Sequence, residues 1–175
     1  MTTPLFFLIL FVVLLVIFVI IIPKALIIEF QIVINKPVSE VFDFVKLLKN
    51  HDRFNPYAIM EPDRQKQYSG IDGTVGFIYR WESLTNKTVG TGEQEITEIE
   101  NEKLIAHEIR FIKPRVDTAQ AKFYFEPLNE HQTKVIWGFY STLKGPFKLL
   151  KPLLRKMLGK NTMEGLTNLK TILEQ

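Results

Sequence analysis

The chain has no cysteine, which excludes a disulfide scaffold, a thiolate nucleophile and cysteine-based zinc or iron–sulfur sites. A chain without thiols is tolerated in a reducing compartment and outside the cell alike, so compartment is left open. The three histidines, His51, His107 and His131, are dispersed and show no paired metal-ligand spacing. No glycine-rich phosphate loop, nucleophile elbow or HExxH pattern occurs, so no cofactor and no metal is expected. Repeats, low-complexity tracts and Gly/Ser/Pro-rich linkers are also missing, which argues against a division of the polar part into two domains. The net charge of +3 is small and mixed along most of the chain, and no nucleic-acid motif accompanies it, so no nucleic-acid partner is expected.

Charge of either sign is absent from the first 23 residues. Within them, residues 5–22 form eighteen consecutive Leu, Ile, Val and Phe, long enough to span a hydrocarbon core. Insertion of such a run is favourable by roughly 5 to 11 kcal/mol on translocon-derived scales. A cleaved signal peptide would carry a basic start and a small-x-small site, and neither is present. The expected organisation is therefore a single-pass anchor over residues 1–23, partnered by the lipid bilayer, and one globular domain over residues 24–175. Lys24, Lys36 and Lys46 follow the run while no basic side chain precedes it, so the positive-inside rule favours a cytoplasmic domain.

The remaining 150 or so residues suffice for one sizeable core. Residues 25–35 alternate with the period of a half-buried strand, and Val41, Phe42, Phe44, Val45 and Leu48 recur at helical spacing behind Ser39-Glu40. The segments 74–83, 88–99, 104–113, 117–127 and 133–142 then read as five strands with short joins, an antiparallel meander. A helical region follows over 146–174, with breaks expected near Pro152 and at Gly159 and a capping box at Asn161-Thr162-Met163-Glu164. The fold class is α+β.

Several segments carry a family resemblance. These are Ile34-Asn35-Lys36-Pro37-Val38-Ser39-Glu40-Val41-Phe42, Gly70-Ile71-Asp72-Gly73-Thr74-Val75-Gly76, Gly90-Thr91-Gly92-Glu93-Gln94-Glu95-Ile96, Val135-Ile136-Trp137, and residues 164–174. In order and spacing they resemble the SRPBCC superfamily, the START-like polyketide cyclase/dehydrase and lipid transport group. The resemblance implies a helix-grip fold, a curved antiparallel sheet wrapped around a long C-terminal helix, here preceded by one transmembrane helix. A departure occurs after the first helix, where a Trp-x-x-Trp pair is common in the family and Phe54-Asn55-Pro56-Tyr57 stands here.

The resemblance further implies a cavity between sheet and helix for a hydrophobic or amphipathic small molecule. Strand alternation puts Phe77, Tyr79 and Trp81 on one face and Arg80 on the other; His107 and Ile109, Phe123 and Phe125, and Trp137 and Phe139 continue the inward pattern. These nine are the cavity candidates, although aromatic sheet faces are commonly plain core. His107 reads either as a hydrogen-bonded core histidine, the favoured reading, or as an acid/base. Glu93 and Glu95 read as a solvated strand face, and His51 and Asp52 as caps of the first helix. Three functions stay open: a membrane-tethered module that binds or transfers a hydrophobic ligand, which is favoured; a cyclase/dehydratase-like enzyme using His107, Tyr79 or Glu95; and a protein-interaction module at the membrane. Catalytic residues are not assigned. Residues 144–160 carry six basic and no acidic side chains interleaved with apolar ones. Lys148, Lys151, Arg155 and Lys156 there are candidates for contact with anionic headgroups, or else a solvated helix face.

Overall fold

The computed structural model describes residues 3–175, except the side chains of 3 and 15–17; Met1 and Thr2 of the expected anchor lie outside the described residues. Helix α1 (Thr3–Ile21) is apolar from Pro4 onward, and none of the described side chains in the 18-residue stretch Pro4–Ile21 is buried. By length and composition it is able to cross a membrane.

The other elements are β1 (Ala25–Ile34), α2 (Val38–Lys46), two short helices α3 (His51–Phe54) and α4 (Pro56–Ile59), strands β2 (Gln65–Ser69), β3 (Ile78–Glu82), β4 (Thr91–Glu100), β5 (Leu104–Lys113), β6 (Asp117–Asn129) and β7 (Gln132–Thr142), and α5 (Lys151–Leu173). The strands form one seven-stranded antiparallel sheet in the order β1-β7-β6-β5-β4-β3-β2. This sheet and the long α5 across it make the helix-grip fold. Period-two alternation accounts for the inward rows: Leu26, Ile28 and Ile34 on β1, and Ile105 and His107 on β5, are buried.

Four points differ from the sequence-based expectation, one being that β4 begins at Thr91 rather than at 88, behind Gly90 at a φ of 62°. Strand β3 starts four residues late, because Gly73 and Gly76 adopt φ of 80° and 87° and turn the intervening chain. Strand β2 is an additional strand, polar and exposed at the sheet edge. Helix α5 is unbroken at Gly159 and at 161–164: Pro152 occupies its first turn, where no backbone donor is needed, and a 3₁₀ turn (Gly145–Leu150) precedes it. Thr162 does not cap a new segment; its hydroxyl donates to the Leu158 carbonyl one turn back. Gly159 and Gly165 are packing positions. A Cβ would come within 3.0 Å of the Phe30 ring at Gly159 and within 2.5 Å of the Trp137 ring at Gly165, so their bare backbone seats the helix on sheet aromatics.

The C-terminal half of α5 closes the main core, where Leu166 and Leu169 pack with Val41, Phe42, Phe54, Ile105, Phe123 and Phe125. A second cluster joins Leu48, Phe77, Tyr79 and Ile96; a third, around Leu26, Ile28 and Leu143, takes in Leu154 and Leu158 of α5.

Candidate functional site

Between the sheet and the N-terminal half of α5 lies a cavity of about 350 Å³. Tyr79, Trp81, Gln94, Ile109, Phe111, Ala121, Trp137 and Phe139 form its sheet wall; Leu158, Asn161 and Thr162 of α5 face them, and α3 and α4 close one side. Gly92 shapes the wall, since a Cβ there would stand 2.7 Å from the Trp81 ring and 2.8 Å from the Arg110 carbonyl. The Trp81 indole therefore lies close over the strand, with Nε1 donating to the Val89 carbonyl at 3.0 Å. The exposed rim is formed by Thr88, Lys113 and Pro114 with the half-buried Arg115 and Asp117.

One side of the cavity is polar. Arg64, 6 % exposed, donates through Nη1 to the carbonyls of Ala58 and Glu61 and through Nη2 to Asp52 and the Tyr79 hydroxyl. The Tyr79 hydroxyl donates to Asp52 at 3.1 Å, and Lys66 pairs with the other Asp52 oxygen at 2.6 Å. Burial raises the Tyr79 pKa, with Asp52 adding to the rise and Arg64 opposing it, so the phenol is a neutral donor. His51 also lines the cavity, and its Nε2 donates to the Val45 carbonyl at 2.8 Å. Burial holds its pKa down to about 4.

A model of the family described as polyketide cyclase / dehydrase and lipid transport matches residues 26–174. The chain belongs to this family. Among solved structures it is similar to a di-domain aromatase/cyclase of the steffimycin biosynthetic pathway, at 13 % identity and a TM-score of 0.66 over 86 % of this chain and 51 % of that one. The chain thus spans about half the length of that relative. It is also similar to norcoclaurine synthase from Thalictrum flavum (13 % identity, TM-score 0.64, 86 % of this chain and 95 % of that one). A Thermus thermophilus protein shares 17 % identity at a TM-score of 0.56, over 83 % and 94 % of the two chains. At these identities the likeness is one of fold. No curated protein matches the sequence.

Within this polyketide cyclase-type domain, Tyr79, Trp81, Ile109, Trp137 and Phe139 line the cavity. Phe77, His107, Phe123 and Phe125 do not. Helix α2 and the segment after it cover them: Leu48 packs on Phe77, Phe42 of α2 on Phe125 with ring centroids 5.3 Å apart, and Phe54 on Phe123 at 6.2 Å. His107 is wholly buried behind this layer, its ring 5.4 Å from that of His51. His107 is thus a core residue; among the described residues neither ring nitrogen meets full hydrogen-bond geometry, while the backbone of Ala121, opposite on β6, is near enough to oppose the effect of burial. Burial, reinforced by His51, lowers its pKa well below the ordinary value.

The three acid/base candidates are not brought together. Tyr79 faces the cavity, His107 is sealed behind it, and Glu95 lies on the opposite face of the sheet. There Arg110 bonds Glu93 and Glu108 at 2.5 Å and Glu95 at 2.8 Å, and Arg80 bonds Glu93, an ion-pair lattice where a plain solvated face was expected. Asp52 caps no helix: it binds Arg64 and Lys66, while Asp72 accepts from the Leu48 and Lys49 amides. Of the membrane-surface candidates, Arg155 and Lys156 are exposed and Lys151 is half-buried. Lys148 is buried, its ammonium donating to the carbonyls of Val19 at 2.9 Å and Ile20 at 3.3 Å, the last turn of α1. Arg64 and Gln94 are among the lining residues that sequence reasoning missed, with Tyr57, Ala121, Leu158, Asn161 and Thr162; of Arg64 and Gln94, only Gln94 carries a signal, its inward phase two before Ile96.

Proposed function

We propose that α1 crosses the bilayer and that the domain following it accepts an apolar or amphipathic small molecule from the membrane into its cavity, to hold it or hand it on. The observation that carries this reading is that α1 enters the sheet at the end where the cavity opens. Ala25, just after α1, pairs with Thr142, and the adjoining Ser141 pairs with Ala119, just after the rim loop between β5 and β6. A chain of contacts continues from rim to anchor: the Arg115 guanidinium sits 3.9 Å above the Phe147 ring, and the neighbouring Lys148 caps α1.

Around that end lie exposed apolar side chains, Val116 at 80 % and Leu153 at 63 % among them, with Phe147, Leu150 and Met157. Arg155 and Lys156 stand beside them, an arrangement suited to an anionic interface, where each cation contributes up to about 1 kcal/mol. The mostly apolar lining fits a molecule delivered from lipid.

The chain's lack of cysteine permits a single nitroxide at Leu153→Cys or, at the opposite end of the sheet, Glu130→Cys. In full-length protein in anionic vesicles, the label at 153 should be relaxed by dissolved oxygen and shielded from a water-soluble nickel chelate, and the label at 130 the reverse. Equal chelate access at both positions would show that the rim does not face the bilayer.

A further inference from the structure

Gln94 is 8 % exposed, projects from β4 into the cavity wall, and forms no side-chain hydrogen bond with any described residue. Its amide atoms are not sealed in the core but open to the cavity, where two N–H donors and a carbonyl are available to an occupant. It stands directly opposite Tyr79 in the β3–β4 register and opposite Ile109 on its other side. The Tyr79 hydroxyl accepts from Arg64 and donates to Asp52, which leaves one lone pair. The two side chains form a polar pole in an otherwise apolar wall.

Resting on the reading that the cavity holds a membrane-derived molecule, we infer that Gln94 and Tyr79 select ligands whose apolar body ends in a neutral hydroxyl or carbonyl oxygen. The charges at the pole itself, as distinct from the rim cations Lys113 and Arg115, disfavour the alternatives. Both Nη groups of Arg64 are already committed, so a carboxylate finds no free guanidinium edge and faces Asp52. An ammonium meets an Asp52 already held between Arg64 and Lys66. A hydroxyl donates to the Gln94 carbonyl or the Tyr79 oxygen and accepts from the Gln94 amide; a ketone accepts from that amide. No charge is desolvated in either case.

The test uses full-length protein in phosphatidylcholine nanodiscs, titrated calorimetrically with decan-1-ol, decan-2-one, decanoate and decane against empty nanodiscs. The alcohol and ketone should bind tighter than the hydrocarbon by about 3- to 10-fold, the range of one or two net hydrogen bonds, and tighter than decanoate. Gln94→Met, similar in volume, should erase most of the oxygen-dependent preference while leaving decane unchanged. Decanoate binding best, or an order of affinities that Gln94→Met leaves intact, would overturn the inference and leave the cavity reading standing. The wild-type order alone decides the matter should the variant fail to fold. Binding of none of the four would overturn both.

Discussion

Replacing His107 with Leu should stabilise the protein. The imidazole is fully buried and, among the described residues, neither nitrogen meets full hydrogen-bond geometry, so its poorly matched donor and acceptor cost about 1 to 3 kcal/mol that a leucine of similar size does not. At pH 7.5 the expected gain is about 1 to 2 kcal/mol, allowing for imperfect packing against Phe123 and His51. Acid provides the second half of the test. His51 falls from an ordinary 6.5 to about 4 on folding, and His107 shifts in the same direction. Between those values the unfolded chain binds more protons than the folded one, so stability is complete above about pH 6.5 and is lost as pH falls towards 4. For His51 alone the loss between pH 7.5 and 5 is about 2 kcal/mol, a large share of a typical total stability. Guanidinium titrations of full-length protein in micelles, followed by near-ultraviolet circular dichroism, measure both quantities. His107→Leu should raise the midpoint at pH 7.5 and reduce the acid loss towards the His51 share. A destabilisation above 1 kcal/mol at pH 7.5, with the acid loss unchanged, would mean that the imidazole is hydrogen-bonded in the folded protein and that this reasoning is wrong.

Removal of residues 1–23 should leave a soluble, folded domain, because none of the described side chains in the apolar stretch of α1 is buried in it; aggregated protein without native near-ultraviolet dichroism would refute this. Gly165→Ala should cost about 1 to 3 kcal/mol, since the added methyl meets the Trp137 ring at 2.5 Å, and an unchanged thermal midpoint would count against the seating of α5 on that ring. Lys148→Met should free the end of α1 from the 3₁₀ turn by removing two charge-assisted bonds, worth about 1.5 kcal/mol or more each when buried. Spin-label distances between residue 14 and residue 130 should then broaden; an unchanged distribution would show that Lys148 does not hold the two together.

The parts of the fold legible in the sequence are those written in hydrophobic period. The eighteen-residue apolar run appears as α1, Val41, Phe42 and Val45 as the buried stripe of α2, and the alternation of Phe77, Tyr79 and Trp81 as an inward face. Strand β2 was illegible because Gln65, Lys66 and Gln67 at a sheet edge have no face to bury. The sequence pattern breaks α5 at Pro152 and Gly159, residues that interrupt a helix only in a generic context; here one occupies a first turn and the other abuts Phe30, and neither is a local property. The cavity was legible as an aromatic face, but which rings line it and which are sealed depends on where the segment after α2 folds back. The Asp52–Arg64–Tyr79 cluster joins residues 12 and 15 positions apart; the turn at Glu61-Pro62-Asp63 is legible, but not which side chains it brings together.

The central claim, a membrane-supplied molecule in the cavity, is tested most directly by native mass spectrometry of full-length protein released from its own host membranes in a mild detergent. The account predicts one small, lipid-soluble molecule per chain, displaced in Ala121→Trp, in which an indole fills the wall opposite α5. Protein that emerges only at the mass of the bare chain, from wild type and variant alike, would contradict it.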